Sequence, residues 1–379
     1  MNQTTPRWDI FCAVIDNYGD IGVCWRLARQ LVAEHGFAVR LWVDDVSRMQ
    51  PLHPEIDASL ESQIACGVEV RRWVPDFPEV EPADVVIEAF GCVLPMTYEH
   101  AMTRCARPPV WINLEYLSAE SWVEMCHALP SPHPVLNLTK YFFFPGFTEG
   151  TGHLLRESGL LEQRETFRAS SGNFRDVLGI PPPNPDELLI SLFCYDTAPV
   201  DALLTQWEQS EIPVRCLLPI GHRSSFHLQR EGEQPIHLQP GSIHQHGNLT
   251  LHALPFLRQE DYDKLLWLCD LNFVRGEDSF VRAMWAGKPL VWQIYPQEDD
   301  AHRPKLDAFL DLYTLTIPEP ALTAMRAFHL GWNNFNALSW KDFIRHRKAF
   351  ESNAAGWADY YYAQSDLASK LVIFCGNKV

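Results

Sequence analysis

Two carboxylates stand four residues apart in Asp16-Asn17-Tyr18-Gly19-Asp20-Ile21-Gly22, and the two glycines let backbone come close to a ligand. In such a turn one carboxylate can receive the proton of an attacking nucleophile while the other orients it. A structural reading fits the spacing equally well, with Asp20 as the N-cap of the helix that follows. The glycine spacing is not the GxGxxG dinucleotide fingerprint.

A second segment, Arg275-Gly276-Glu277-Asp278-Ser279-Phe280-Val281-Arg282-Ala283, has the same character. A glycine turn that delivers Asp278 and Ser279 to a helix start exposes N–H groups at the positive end of the helix dipole, which suits a diphosphate. Ser279 is either a phosphate ligand or only a cap; the helix start binds phosphate through its backbone in both cases. Arg275 either pairs phosphate oxygens bidentately or locks to Glu277 or Asp278 as a structural ion pair.

Aromatic candidates for holding a base lie between these segments: Phe193 and Tyr195, Phe256 in Leu254-Pro255-Phe256-Leu257, and Tyr295 in Gln293-Ile294-Tyr295-Pro296. A flat ring at the carboxyl end of a strand can stack on a pyrimidine, and a tyrosine hydroxyl can reach a phosphate, although most aromatic residues in any chain are core. No Ser/His/Asp order, GxSxG elbow, Walker loop or HExxH pattern is present. Asp44-Asp45 and Glu298-Asp299-Asp300 read as solvated or capping acids rather than a DxD metal site, and His244 and His246 as solvated loop residues. The pattern that remains is a nucleotide-dependent transferase that uses helix dipoles in place of a cation.

The elements needed to position these residues are legible from periodicity. Short β-branched and aromatic runs at 8–15, 38–43, 68–73, 84–90, 110–114 and 141–144 alternate with amphipathic stretches, the signature of βα units around a parallel sheet. A helix is predicted over 21–34, with Ile21, Trp25, Ala28, Leu31 and Val32 on one face. The Asp16–Asp20 turn then lies at the carboxyl end of the first strand. The proline run at 180–185 can neither continue a helix nor supply ladder donors, and it marks the expected interdomain linker. Beyond it come strands at 188–195, 214–220, 249–254, 271–274 and 290–295, with helices near 200–209, over 259–268 and from 279. Segment 240–247 reads as a surface loop. The sequence thus predicts two facing Rossmann-like domains, 1–184 and 185–356. Closing helices are expected at 340–351 and 357–374, with 357–379 crossing back to the first domain.

Composition agrees with this picture and narrows the function. The 379 residues suit two domains, and 46% hydrophobic content with 13 Trp and 21 Phe leaves ample apolar surface to bury. Ten cysteines are scattered singly, with no CxxC pair and no zinc spacing, as expected for reduced thiols. The N-terminus does not read as a signal peptide and no run is long enough for a membrane span, so a cytoplasmic protein is expected. A net charge of −17 opposes direct binding to nucleic acid, and it would favour a cationic acceptor group.

The chain resembles the elongation factor P arginine rhamnosyltransferases, the EarP family. The resemblance is carried by residues 14–29, by Asn113-Leu114-Glu115-Tyr116-Leu117-Ser118-Ala119-Glu120, by residues 140–147, and by residues 275–282 followed by 286–297. These blocks run through both predicted domains in the family's order.

The resemblance implies a GT-B glycosyltransferase with its active site in the cleft between two Rossmann-like domains. It would be inverting and metal-independent, with no cofactor. The implied donor is dTDP-β-L-rhamnose, and the implied acceptor is one arginine of elongation factor P, a translation factor that relieves ribosomes stalled at proline runs. Carried over by motif, Asp20 would be the general base, Asp16 its essential neighbour, and Glu277 a further carboxylate at the sugar and acceptor. Phe256 would stack on thymine. Tyr195, Gln259, Arg275, Asp278, Ser279 and Tyr295 would surround the nucleotide and diphosphate, with Phe193 and Gly19 also on the donor side. The alternatives are a GT-B transferase with another nucleotide sugar or acceptor, and a noncatalytic nucleotide-sugar-binding partner of a translation factor.

Overall fold

The computed structural model describes residues 5–16, 18–220, 226–228 and 236–378; Asn17 of the first motif lies outside them. The chain divides into two compact units, one comprising residues 1–158 with 363–379 and the other residues 159–362.

The first unit is built on eight strands: β1 (Arg7–Cys12), β2 (Ala38–Val43), β3 (Ser62–Ala65), β4 (Val68–Arg72), β5 (Val85–Ala89), β6 (Val110–Leu114), β7 (Pro130–Pro132) and β8 (Thr139–Phe143). They form one sheet in the order β3-β4-β2-β1-β5-β6-β8-β7, parallel except where β3 and β7 pair antiparallel at the edges. Every residue of β5 and β6 is buried, as expected of apolar strands covered on both faces. The two edge strands were not anticipated from sequence; both are short, and β7 is proline-bounded, a composition that blunts an open edge.

The first strand stops at Cys12, short of the predicted residue 15. The reason is local: the amide of Val14 donates to Asp44 Oδ1 (2.9 Å), and those of Ile15 and Asp16 donate to Asp20 Oδ2, so they leave the ladder for side chains. Helix α1 (Gly19–His35) follows and ends at Gly36, whose φ of 69° supplies the left-handed C-cap. Its apolar face, Ile21, Trp25, Ala28 and Leu31, is buried. Arg26 and Gln30 on another face are buried as well. There Gln30 Nε2 donates to Arg156 O (2.7 Å) and to Asp366 Oδ1 (3.0 Å) at the head of the helix Leu367–Gly376. Helices α2 (Met96–Arg104) and α3 (Trp122–Cys126) complete the larger connections.

The second unit opens with helices α4 (Leu160–Ala169) and α5 (Gly172–Leu178), which lie before the proline run. The division therefore falls after Ser158, not at 184/185 as the prolines suggested. Its cause is visible in the bonds: Arg164 Nη1 donates to Trp285 O (2.8 Å), Arg168 Nη2 donates to Ala286 O (2.6 Å), and Phe167 packs edge-on against Trp267. Ile180, at the head of the proline run, is buried with Leu189, Leu217, Leu254 and Leu265, so the run is an internal loop of this unit.

Strands β9 (Leu188–Leu192), β10 (Val214–Ile220), β13 (Ile243–His246), β14 (Leu249–Pro255), β15 (Leu271–Arg275) and β16 (Leu290–Gln293) form a sheet in the order β13-β14-β10-β9-β15-β16. Between them, β11 (Phe226–Leu228) and β12 (Ile236–Leu238) pair as a separate antiparallel ribbon. The stretch predicted as loop 240–247 contains β13, which adds antiparallel to β14. His246 there pairs with Glu208 at 3.2 Å. The helices are α6 (Val200–Glu208), α7 (Gln259–Leu268), α8 (Asp278–Ala286), α9 (Arg303–Tyr313), α10 (Ala321–Trp332), α11 (Trp340–Ile344) and α12 (Arg347–Tyr362). The predicted helix 340–351 is broken between α11 and α12. The predicted helix 357–374 is likewise two helices, split at residues 363–366, and only its second part belongs to the first unit.

Candidate functional site

In the first unit, Asp16, Gly19 and Asp20 are brought together at the carboxyl end of β1. The N-cap residue of α1 is Tyr18, with no side-chain cap bond, so Asp20 is not the N-cap that its spacing allowed. It stands instead in the first helical turn and reaches back, its Oδ2 accepting from the amides of Ile15 and Asp16 at 2.9 Å each. A side-chain hydrogen bond from Tyr116 also reaches the carboxylate. The net effect is a pKa raised from the ordinary carboxylate value: burial dominates, the charge of Asp16 adds to it, and the three hydrogen bonds oppose it. Asp16 is half-buried, and its carboxylate abuts Gly19, where an added Cβ would lie 2.8 Å from Asp16 Oδ2. Gly19 is thus the residue that makes room for Asp16.

Tyr116 has a well-defined seat. It follows β6, stacks on Phe90 with ring centres 4.5 Å apart, and Phe90 itself holds a φ of 59° just beyond β5. Parallel pairing of β1 with β5 and of β5 with β6 is what carries Asp16, Gly19, Asp20, Phe90 and Tyr116 to one end of the sheet.

In the second unit, β15 ends at Arg275 and α8 begins three residues later. Gly276 has a φ of 59°, its amide donates to Gln293 O (3.2 Å), and Trp292 Nε1 donates to Gly276 O (2.8 Å). Glu277, half-buried, is the N-cap residue of α8 and offers it no side-chain cap bond. Ser279 is not a helix cap either: its hydroxyl donates to Arg275 O (2.5 Å) and accepts from Arg275 N (3.1 Å), tying the turn closed. Asp278 Oδ2 accepts from Gln259 Nε2 at 3.1 Å. Helix α8 begins at Asp278, and a helix start leaves its first amides without intrahelical acceptors.

The Arg275 guanidinium lies over the rings of Phe193 (4.3 Å) and Tyr195 (4.6 Å) and donates to Cys194 O (3.0 Å). Tyr195 meets Tyr295 edge-on at 5.6 Å. Phe256, half-buried, follows directly on β14. Gln293 was not picked out by the sequence reading, yet its Oε1 accepts from Tyr195 N (2.7 Å) and its Nε2 donates to Thr197 Oγ1 (3.1 Å). The catalytic and donor candidates therefore form two sets, Asp16, Gly19 and Asp20 in the first unit and the remainder in the second. Among the described residues no group of three or more His, Cys, Asp or Glu could hold a metal ion, and no helix is long and apolar enough to cross a membrane.

Residues 8–376 match the family described as Elongation-Factor P (EF-P) rhamnosyltransferase EarP. The chain belongs to the EarP family. A relative from Pseudomonas putida KT2440, a protein-arginine rhamnosyltransferase, is 48% identical over 377 residues, covering 98% of this chain and 99% of its own. One of the same description from Pseudomonas aeruginosa PAO1 is also 48% identical, covering 97% and 98%. A solved structure of EarP-mediated arginine glycosylation of translation elongation factor EF-P is 35% identical, with a TM-score of 0.67 and coverage of 99% of this chain and 100% of that one. The structure of TcCGT1 in complex with UDP, 10% identical with a TM-score of 0.51 and covering 99% of each chain, is similar in fold, and the fold is of the GT-B type. Both turns described above fall inside the stretch that matches EarP.

Proposed function

We propose that this chain transfers L-rhamnose from dTDP-β-L-rhamnose to an arginine of elongation factor P, in the cytoplasm and with inversion at the anomeric carbon. The observation that carries the proposal is Asp20, a buried carboxylate with a raised pKa, anchored by two backbone amides on the turn after β1. The arginine relatives' description supplies the acceptor chemistry, and the family's description supplies the acceptor protein.

An acceptor guanidinium is cationic, with a pKa above about 12, and its lone pairs are delocalised. Carboxylates attract and orient it. One nitrogen attacks the anomeric carbon opposite the diphosphate; the C–N bond forms as the C–O bond breaks, and the electron pair leaves on the dTDP oxygen. The proton of the attacking nitrogen passes to Asp20, and the α-rhamnosyl guanidinium keeps its single positive charge. A raised pKa makes Asp20 the stronger proton acceptor at working pH. Asp16 and Glu277 complete the acid environment of the cation.

The leaving diphosphate gains negative charge. The first amides of α8, the Arg275 guanidinium and the Tyr195 and Tyr295 hydroxyls are donors suited to it, and they need no resident cation. Phe256 stacks on the thymine, with Phe193, Gln259, Asp278 and Ser279 around the nucleotide. Modification in this way activates the factor for ribosomes stalled at proline runs.

Intact-mass analysis of elongation factor P incubated with this protein and dTDP-rhamnose tests the reading. The expected result is a gain of one deoxyhexose on one arginine. An unchanged mass, with dTDP-rhamnose bound, would make the chain a noncatalytic sensor.

A further inference from the structure

We propose that Tyr116 is a positioning residue for Asp20, holding the carboxylate in the orientation in which it takes the acceptor's proton. The inference rests on the assignment of Asp20 as general base and adds a group that assignment does not require. Two amides of the chain's own turn, Ile15 and Asp16, fasten Oδ2 at 2.9 Å. Both belong to one short segment, so they fix where that oxygen sits but leave the carboxylate plane free to pivot about it. Tyr116 reaches the same carboxylate from a different segment, with a hydrogen bond that comes from the chain just beyond β6. A donor from a second, independent segment restrains that pivot, and proton transfer depends steeply on the carboxylate's orientation.

The seat of Tyr116 is itself over-determined. Its ring stacks on Phe90 (4.5 Å, 22° between planes). Phe90 is held in the left-handed region at φ 59° by its own amide bonding Leu114 O (2.7 Å), followed by Gly91 at φ 68°. A bulky residue in that region is uncommon and persists where the surroundings impose it. Next to Tyr116, Glu115 is bonded by Asn113 Nδ2 (2.6 Å). Ionisable groups around Asp20 include Asp16 on its turn, whose charge raises its proton affinity, and Cys12 at the end of β1, a buried thiol pushed to the neutral form in company with Cys24 and within the field of Asp44.

The hydroxyl stabilises the charged carboxylate, so its removal raises the proton affinity of Asp20 further. Tyr116→Phe keeps the ring and the stack on Phe90 while deleting the donor. The acid limb of the pH profile of kcat/KM for rhamnosyl transfer then moves to higher pH, with a roughly tenfold loss on the acid side, the scale of one hydrogen bond to a charged group. Tyr116→Leu should lose more, because the stack goes too. A second readout does not depend on activity: NMR titration of 13C-labelled aspartate, with the Asp20 signal identified by its loss in Asp20→Asn. If both the profile and the Asp20 titration move upward, the proposal stands. If neither moves, Tyr116 is structural and the proposal falls while the base assignment survives. If the titration moves and the profile does not, Asp20 is not the base, and the proposal falls with that assignment.

Discussion

The guanidinium of Arg275 lies 4.3 Å from the centre of the Phe193 ring, and the same cation stands 4.6 Å from the Tyr195 ring. Its carbonyl partner is Cys194, the residue between the two rings. A planar cation layered against two aromatic side chains of one segment is fixed in direction before any ligand arrives. A flexible ammonium would not reproduce this. Arg275→Lys keeps the charge but loses the stack and the fork, so affinity for dTDP should weaken by about 1–2 kcal/mol. Calorimetry measures this directly, and unchanged affinity would show that charge alone matters there.

Asp20→Asn should lower single-turnover transfer by roughly 10²–10⁴-fold while leaving dTDP-rhamnose affinity close to wild type. A loss of affinity in step with rate would make Asp20 a donor ligand instead.

The same variant should alter stability in a pH-dependent way. A carboxyl group with a folded pKa above its unfolded value of about 3.9 stabilises most below that value, and the stabilisation is lost as pH rises through the folded pKa. At neutral pH the buried charge of Asp20 is therefore a cost, and Asp20→Asn should melt at the same temperature or higher. Thermal melts from pH 3 to pH 8 should show the wild type losing ground to the variant as pH rises; a variant less stable at neutral pH would contradict this.

Gly19→Ala forces the Asp16 carboxylate aside, because the new Cβ would lie 2.8 Å from Oδ2. The displaced atom is the end of a side chain, so folding should suffer by less than about 1 kcal/mol. Transfer should fall on the order of 10²-fold if Asp16 positions the acceptor. Steady-state kinetics beside a melt separate these, and wild-type turnover would remove Asp16 from the reaction.

Phe256→Ala should weaken donor binding by roughly 1–3 kcal/mol, the scale of one base stacked on one ring. Unaltered dTDP affinity by calorimetry would place the thymine elsewhere.

Transfer should also survive EDTA, since the donors proposed for the diphosphate belong to the chain. Loss of turnover on chelation, restored by Mg²⁺ or Mn²⁺, would require a cation in the diphosphate site.

The sequence made the parallel sheets readable because β-branched and aromatic runs such as Val85–Ala89 and Val110–Leu114 alternate with helical periodicity. It placed Asp16 correctly after the first strand but began the helix at residue 21, whereas α1 already takes in Gly19 and Asp20. It could not tell which unit α4 joins: amphipathicity says that a helix face is buried, not against what. That assignment depends on Arg164 and Arg168 capping the carbonyls of Trp285 and Ala286, over a hundred residues away. Proline punctuation at 181–183 pointed to a boundary where the chain only makes a loop. The roles of Tyr116 and Gln293 were hidden for the same reason, since strand pairing, rather than spacing, brings each to its partner. Asp20 as an N-cap failed because residues near a helix start can bond backward to the entering turn as readily as forward.

The unit that carries Asp20 is assembled from both ends of the polypeptide, whereas the second unit is one uninterrupted segment. The bond from Gln30 to Asp366 spans 336 positions of sequence, so closing the first unit means closing a loop that contains the whole of the second. The second unit carries no such cost, because its contacts lie within one segment. Its prior collapse draws the two segments of the first unit toward each other and shortens the effective loop, so the two units should set in that order.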